Sequence, residues 1–525
     1  MSVMRVIASG LLAVALAGAY GAQLLRWLRV LQREHYEPAS MIRFLGRWSS
    51  PTVASAKSIE RFRSSRPFTR SHVFMVALLV AAVLQSDLFI AALSALYGLT
   101  CPQGLTIRGR TSALHWTRRA TTIAGLTIVV GVAVAMVSLA TPRVWLGAAA
   151  MVWAVPLVLD VVVRVLAPYE RRSANRFVRQ ASAQLARVHP RVVAITGSFG
   201  KTSTKNHLAD ILGSGRGVVA SPRSFNNRAG LSRAVNEHLS DDAQIFIAEM
   251  GTYGPGEIRD LTSWCVPDIS IVTAIGPVHL ERMKSLEVID RAKFEITERA
   301  PIVVLNVDDP RLSRWVSVLE MAGKKVRTAG SANSHASVLV REESGQWRVS
   351  IDGQDVAECE VILGVQVTNV ACAIAGALEL GVETSEIAEA LRRIGPIANR
   401  SNVVVAPSGV TVIDDTFNAN PSSAAAALSL LSSLSLTGRR VVITPGMIEL
   451  GVEQYRENAL LARQVSAMNA ELVIVGRTNV RPLVAGFDGP VTRFDTREEA
   501  VAWVRSALGP ADGVLYLNDL PDHYP

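Results

Sequence analysis

The stretch Ala-Ile-Thr-Gly-Ser-Phe-Gly-Lys-Thr-Ser-Thr-Lys-Asn, residues 194–206, gathers glycines, lysines and hydroxyls behind an apolar segment. Gly197 and Gly200 permit a tight turn whose amide N–H groups can converge on an anion. Lys201 adds a positive charge and Thr202 a hydroxyl able to ligate Mg²⁺. A helix beginning near Ser203 would aim its positive end at the same place. Phosphate chemistry suits that combination, so Gly197, Ser198, Gly200, Lys201, Thr202 and Ser203 are candidate nucleotide contacts. The common Walker spacing would want a glycine where Ile195 stands, which leaves a shorter Gly-x-x-Gly-Lys-Thr loop. An ordinary Gly/Ser-rich strand-to-helix turn stays open as the alternative.

Other residues could serve the same chemistry. Glu249 closes an apolar strand, where a carboxylate can hold Mg²⁺ beside a phosphate chain or simply face solvent. Asn226 and Asn227 offer amides to a phosphate or metal, or shape a turn. His279 follows the next strand in a Gly-Pro loop, and Lys293 sits on a helical stretch where periodicity favours a solvated lysine.

The elements that must position these residues fall into two parts. From about residue 174, short apolar strands alternate with helical patterns, as βαβ units do. Strands are predicted at 192–195, 244–248, 269–273 and 302–305, and a second set at 410–414, 440–444, 472–475 and 513–517. Between them 335–363 reads as short antiparallel strands, and a domain boundary is expected near Gly395 to Asn399. Before residue 174, the runs 4–23, 72–99, 121–140 and 144–166 are apolar and of spanning length. The first is read as a retained anchor rather than a signal peptide, because RWLRVLQREHY follows it instead of a small-residue cleavage site.

Arginines crowd the loop after the first run, which places that loop in the cytoplasm. Run 72–99, interrupted by Gln85, Ser86 and Asp87, then has to enter and return as a broken hairpin for residues beyond 171 to reach the cytoplasm too. Lys and Arg number 54 against 45 Asp and Glu, a net charge of +9. Much of that surplus flanks the apolar runs, so anionic lipid headgroups explain it and no nucleic-acid partner is expected. The four cysteines lack C-x-x-C spacing, which argues against a zinc ribbon or a disulfide framework.

Eight motifs in one order carry a resemblance: ITGSFGKTST, SFNNRAG, IAEMGTYGPGEI, AIGPVHLERMKSLEVIDRAKFEI, LNVDDP, NVACAIAGAL, VIDDTFNANPSS and TPGMIELG. Together, over residues 190–475, they resemble the Mur ligase family, and within it the branch that adds a D-Ala-D-Ala dipeptide to a muramoyl tripeptide. The resemblance implies an α/β fold with a P-loop Mur-ligase central domain (174–397) and a Rossmann-like C-terminal domain (398–525), and the apolar runs place a helical transmembrane region (1–168) before them. It implies ATP and two Mg²⁺ sites, with Thr202, Glu249, His279 and a CO₂-carbamylated Lys293 as metal ligands. Arg400 would reach the ATP phosphates across the cleft, Asp415 would bind ribose, and Gln366 and Asn369 would lie at the adenine. Asn418 and Asn420 would shape the same site. The catalytic set is then Lys201, Lys293, His279 and Arg400.

Three departures are legible. Val365 precedes Gln366 where the family often has histidine, and membrane segments stand where soluble members carry a uridine-nucleotide domain. The ending YLNDLPDHYP also differs from the Lys-Gly-Ser-Arg ending common in the branch. The implied activity is amide formation through an acyl phosphate at the cytoplasmic face of the cell membrane. The partners are ATP, the lipid bilayer, a muramoyl-peptide or lipid-linked envelope precursor, and an amino acid or dipeptide. A ligase for another polymer, such as a poly-amino acid, and a non-ligase P-loop ATPase or scaffold are the rival readings.

Overall fold

A computed structural model describes residues 3–49, 70–83, 86–102, 105–109, 113–222, 225–395, 402–416, 419–520 and 524. Its contacts form two bodies, Met1–Arg171 with Leu520–Pro525, and Arg172–Asp519.

The first body is helical. The apolar runs appear as Val3–Arg33, Arg70–Val83, Asp87–Thr100, Arg118–Leu139 and Leu146–Val188, with a short helix Ser40–Ser49 between the first two. Run 72–99 breaks around Ser86, and its halves fold back on each other. Phe74 meets Tyr97 edge-on at 5.9 Å, and Ala81 clusters with Ile90. Each half has 14 residues, or about 21 Å of helix, short of the roughly 30 Å hydrocarbon core of a bilayer. Among the described residues three helices are long and apolar enough to cross a membrane: Val6–Arg33, Arg118–Leu139 and Leu146–Glu170. Leu11, Val14, Val129, Val137 and Val165 are among the large apolar side chains they expose.

Polar groups inside this body serve helix ends. Gln23 donates to the carbonyls of Gly98 (3.2 Å) and Cys101 (2.6 Å), and Arg26 donates to those of Gly98, Leu99 and Cys101. These carbonyls belong to the last turn of Asp87–Thr100 and its cap, which the helix itself leaves unsatisfied.

The helix from Leu146 runs 43 residues, well past the expected end at 166 and through Pro156 and Pro168. Beyond Arg172 its sequence turns amphipathic: Val178, Ala181 and Leu185 fall on one stripe and enter the core of the second body. It stops before Pro190, whose ring cannot continue a helix.

The second body holds two mixed sheets. The first contains β1 (Arg191–Thr196), β2 (Val218–Ala220), β3 (Ile245–Glu249), β4 (Ile269–Val272), β5 (Ile302–Asn306), β6 (Lys325–Gly330), β7 (Val338–Glu343), β8 (Gln346–Ile351) and β9 (Gln354–Glu360). Their order is β2-β3-β1-β4-β5-β6-β7-β8-β9, parallel as far as β7 and antiparallel from there. The second contains β10 (Asn402–Val405), β11 (Thr411–Asp415), β12 (Arg440–Thr444), β13 (Glu471–Val475), β14 (Thr492–Phe494) and β15 (Gly513–Leu517). Its order is β10-β11-β15-β12-β13-β14, with only β10 antiparallel.

The predicted strands are all present, because parallel strands buried on both faces read as continuous apolar runs. β2, β6 and β14 were not foreseen. They are short or carry polar residues, and they sit where one face is half exposed. Apolar clusters cover both faces of each sheet. Of the boundary expected near Gly395 to Asn399, residues 396–399 lie outside the described residues.

Candidate active site

The loop between β1 and the helix Lys201–Leu212 needs both its glycines. Gly197 has φ +155° and Gly200 φ +79°, and a Cβ at Gly200 would lie 2.2 Å from Asn369 Oδ1. Ser198 ties the turn to the segment after β4, donating from N to the Ala274 carbonyl (2.8 Å) and from Oγ to that of Gly276 (3.0 Å). Lys201 curls over the loop, with Nζ donating to the Gly197 carbonyl at 2.6 Å. Ser203, one step into the helix, is buried and lines the same crevice as Gly200.

β3 pairs with β1 so that Glu249 stands opposite Ile195, two residues before the loop. Its carboxylate, 1% exposed, receives three side chains. Thr202 Oγ1 donates to Oε2 and Asn226 Nδ2 to Oε1, each at 3.0 Å. The third is Lys205, whose Nζ lies 3.2 Å from Oε2 and also donates to the Ser221 carbonyl at 2.8 Å. Asn227 is spent differently: its Oδ1 accepts from Gly230 N and caps the helix Arg228–His238.

Lys293 is buried, at 2% exposed, contrary to the solvated reading of its helix. Periodicity failed there because the helix Leu286–Phe294 buries its last turn, with Ala292 and Lys293 enclosed together. Burial, reinforced by the nearby Lys201 charge, holds the Lys293 amine well below the usual lysine range, while Glu257 and Glu249 pull the other way.

His279 adopts a left-handed conformation (φ +54°) before the short helix Leu280–Met283. Its Nδ1 contacts the carboxylate of Glu449, a residue beyond β12, and its ring meets Tyr253 at 4.7 Å. Among the described residues no three His, Cys, Asp or Glu side chains form a metal cage. The Glu249 carboxylate instead gathers the Thr202 hydroxyl and the Asn226 amide, with the Lys205 ammonium against one of its oxygens. That oxygen set suits Mg²⁺, which usually takes one or two carboxylates and completes its shell with water and substrate phosphates.

A crevice beside the loop is lined by Gly200, Ser203 and His207 from one side, by Gln366 and Asn369 from a second, and by Asp415, Asn420, Ser422 and Ser423 from a third. Asp415 ends β11 and is 4% exposed. Asn420 caps the helix Pro421–Ser433 in a reciprocal pair with Ser423. Arg400 and Asn418 lie outside the described residues.

Three participants escaped sequence reasoning. Lys205 stands one helical turn after Lys201, a spacing that could have flagged it. Glu449 lies in the quoted TPGMIELG, but nothing local ties it to His279. His207 carries no sequence signal at all. It is 1% exposed, and burial pushes its imidazole down to about 4.

Comparison with known proteins places these motifs. The Mur ligase middle domain matches residues 195–377, and the Mur ligase, glutamate ligase domain matches residues 399–517. The UDP-N-acetylmuramoyl-tripeptide--D-alanyl-D-alanine ligase of Mycobacterium bovis is 32% identical over 365 residues, 64% of this chain and 71% of that protein. Among solved structures, MurF from Acinetobacter baumannii superposes with a TM-score of 0.59 at 22% identity, over 66% of this chain and 77% of that one. MurF from Thermotoga maritima, solved with ADP, gives 0.58 at 22% identity, over 66% and 80%.

Proposed function

The chain belongs to the Mur ligase family and is an ATP-dependent carbon–nitrogen ligase, and on that premise we propose that it joins a D-Ala-D-Ala dipeptide to a muramoyl tripeptide at a membrane. The observation that carries this reading is the meeting of Thr202, Asn226 and Lys205 on the Glu249 carboxylate beside the glycine loop, at the carboxyl ends of β1 and β3. We assign three modules, 1–168, 174–397 and 398–525.

In the first step a substrate carboxylate attacks the γ-phosphate of ATP, giving an acyl phosphate and ADP. The dipeptide amine then attacks the acyl carbonyl, inorganic phosphate leaves, and the amine loses its proton. The loop amides and Lys201 offset the charge that gathers on the transferring phosphoryl group. Thr202 and Glu249 would hold Mg²⁺, which when bound neutralises phosphate charge. Lys205 and Asn226 keep the Glu249 carboxylate aimed. Lys293, whose burial favours the uncharged amine, would add CO₂ there to form a carbamate and release a proton. Gln366, Asn369 and Asp415 line the crevice where base and ribose would lie, and His279, braced by Glu449, is the candidate ligand of a second ion.

The helical body supports anchoring. With Val6–Arg33, Arg118–Leu139 and Leu146–Glu170 as the crossings and the short helix pair dipping in and out, the arginine-rich loop and the ligase module share the cytoplasmic side. That body also favours a second reading, in which the tripeptide substrate is lipid-linked.

The test uses the full chain in detergent with ATP, Mg²⁺, D-Ala-D-Ala and either a UDP-linked or a lipid-linked muramoyl tripeptide, followed by ADP release and product mass. ADP should appear only when acceptor and dipeptide are both present, and the acceptor that supports it separates the two readings. ADP release without either substrate would overturn both.

A further inference from the structure

The crevice beside the loop contains a polar group that the ligase chemistry above leaves unused. His207 lies six residues after Lys201 on the same helix, about 9 Å along its axis. The α-phosphate and ribose of a nucleotide seated at the loop can bridge that span. His207 Nδ1 is buried without a hydrogen-bond partner among the described residues, yet the residue lines the crevice together with Gln366, Asn369 and Asp415. Val365, next to Gln366, brings no polar side chain to this wall. Unsatisfied buried polar atoms are rare in folded proteins, and this one belongs to a side chain that lines the crevice, where a rotation of the ring would offer it to a ligand.

We propose that His207 is a base-reading residue of the nucleotide site, hydrogen-bonding the purine of ATP from the wall opposite Gln366. A neutral imidazole carries one donor and one acceptor, as an amide side chain carries both kinds. The edge of adenine likewise presents an amino donor beside ring-nitrogen acceptors. Burial keeps the ring neutral through the physiological range, so it can act in both capacities without placing a charge beside the base. Lys201 and the loop amides then hold the phosphates, while His207 and Gln366 identify what is attached to them. This assignment rests on the reading of the crevice as the ATP site.

The experiment measures binding to the full-length protein by calorimetry, without turnover, for the parent, His207→Leu and His207→Gln. Two probes are used: ADP, which has a base, and inorganic tripolyphosphate, which has none. His207→Leu should weaken ADP about three- to tenfold, the worth of one hydrogen bond, and leave tripolyphosphate unchanged. His207→Gln should recover part of the loss. Equal ADP affinity in all three proteins would overturn the role of His207 while leaving the ATP site intact. Parallel loss of both probes would overturn it as well, since the effect would then be on the loop and not on the base. If the parent itself fails to bind ADP, the ATP-site reading falls first and this assignment with it.

Discussion

Both bodies bury cations, and they answer them differently. In the helical body Arg26 is 6% exposed and points its guanidinium at backbone carbonyls of Gly98, Leu99 and Cys101. In the α/β body Lys205 and Lys293, each 2% exposed, have titratable side chains as neighbours as well: Glu249 for the first, which also donates to the Ser221 carbonyl, and Lys201, Glu257 and Glu249 for the second. Carbonyls at a helix end are fixed dipoles, so Arg26 fastens one helix to another. Charged side chains facing one another create a field that responds when a phosphate or metal ion arrives. Burial alone therefore does not mark a functional cation; the nature of its partner does.

Substitutions can break or sharpen this contrast. Lys205→Met leaves Glu249 buried without its ammonium and should lower the unfolding free energy by about 3–5 kcal/mol, read from urea titration in detergent. ATP turnover should fall with it, because Glu249 loses its aim. His207 is a third kind of buried group, whose Nδ1 meets neither carbonyl nor charge among the described residues. Its imidazole is held at about 4 against an ordinary 6.5, so the folded state binds the proton less readily than the unfolded state. The stability present above pH 6.5 is therefore lost as pH falls through 4. His207→Leu should lose less stability than the parent over that window, by about 3 kcal/mol at its acid end, as unfolding curves at stepped pH would show.

Arg26→Met should cost about 2 kcal/mol through its lost charged hydrogen bonds. The turnover per folded molecule should stay unchanged, since the residue holds only a helix end. A drop in turnover at full folding would erase the contrast. The smallest effect is expected for Tyr20→Phe, which removes one hydrogen bond to the Thr127 carbonyl (2.6 Å). About 1 kcal/mol should appear as a small fall in thermal midpoint.

Much of this was legible in the residues themselves. The glycine loop, the apolar strands and the membrane-length helices are local features, and local sequence carries them because backbone sterics and side-chain periodicity act over a few positions. Even the break at Ser86 was visible as a polar interruption. Asn227 was read too generously, since a cap and a phosphate ligand look alike until the following helix is seen. For Lys293 the helix periodicity pointed to solvent and only the family resemblance to a buried amine, since periodicity says nothing of what packs over the last turn.

The sequence by itself determined which chemical groups exist and which elements present them. Tertiary structure decided which of them meet. Because β3 lies directly against β1, Glu249 reaches Thr202 and Lys205 from 47 and 44 positions away. The contact of His279 with Glu449 joins residues 170 positions apart. No periodicity encodes such separations, since they follow from the order in which strands pair, and that order is settled by burying apolar faces across the whole chain.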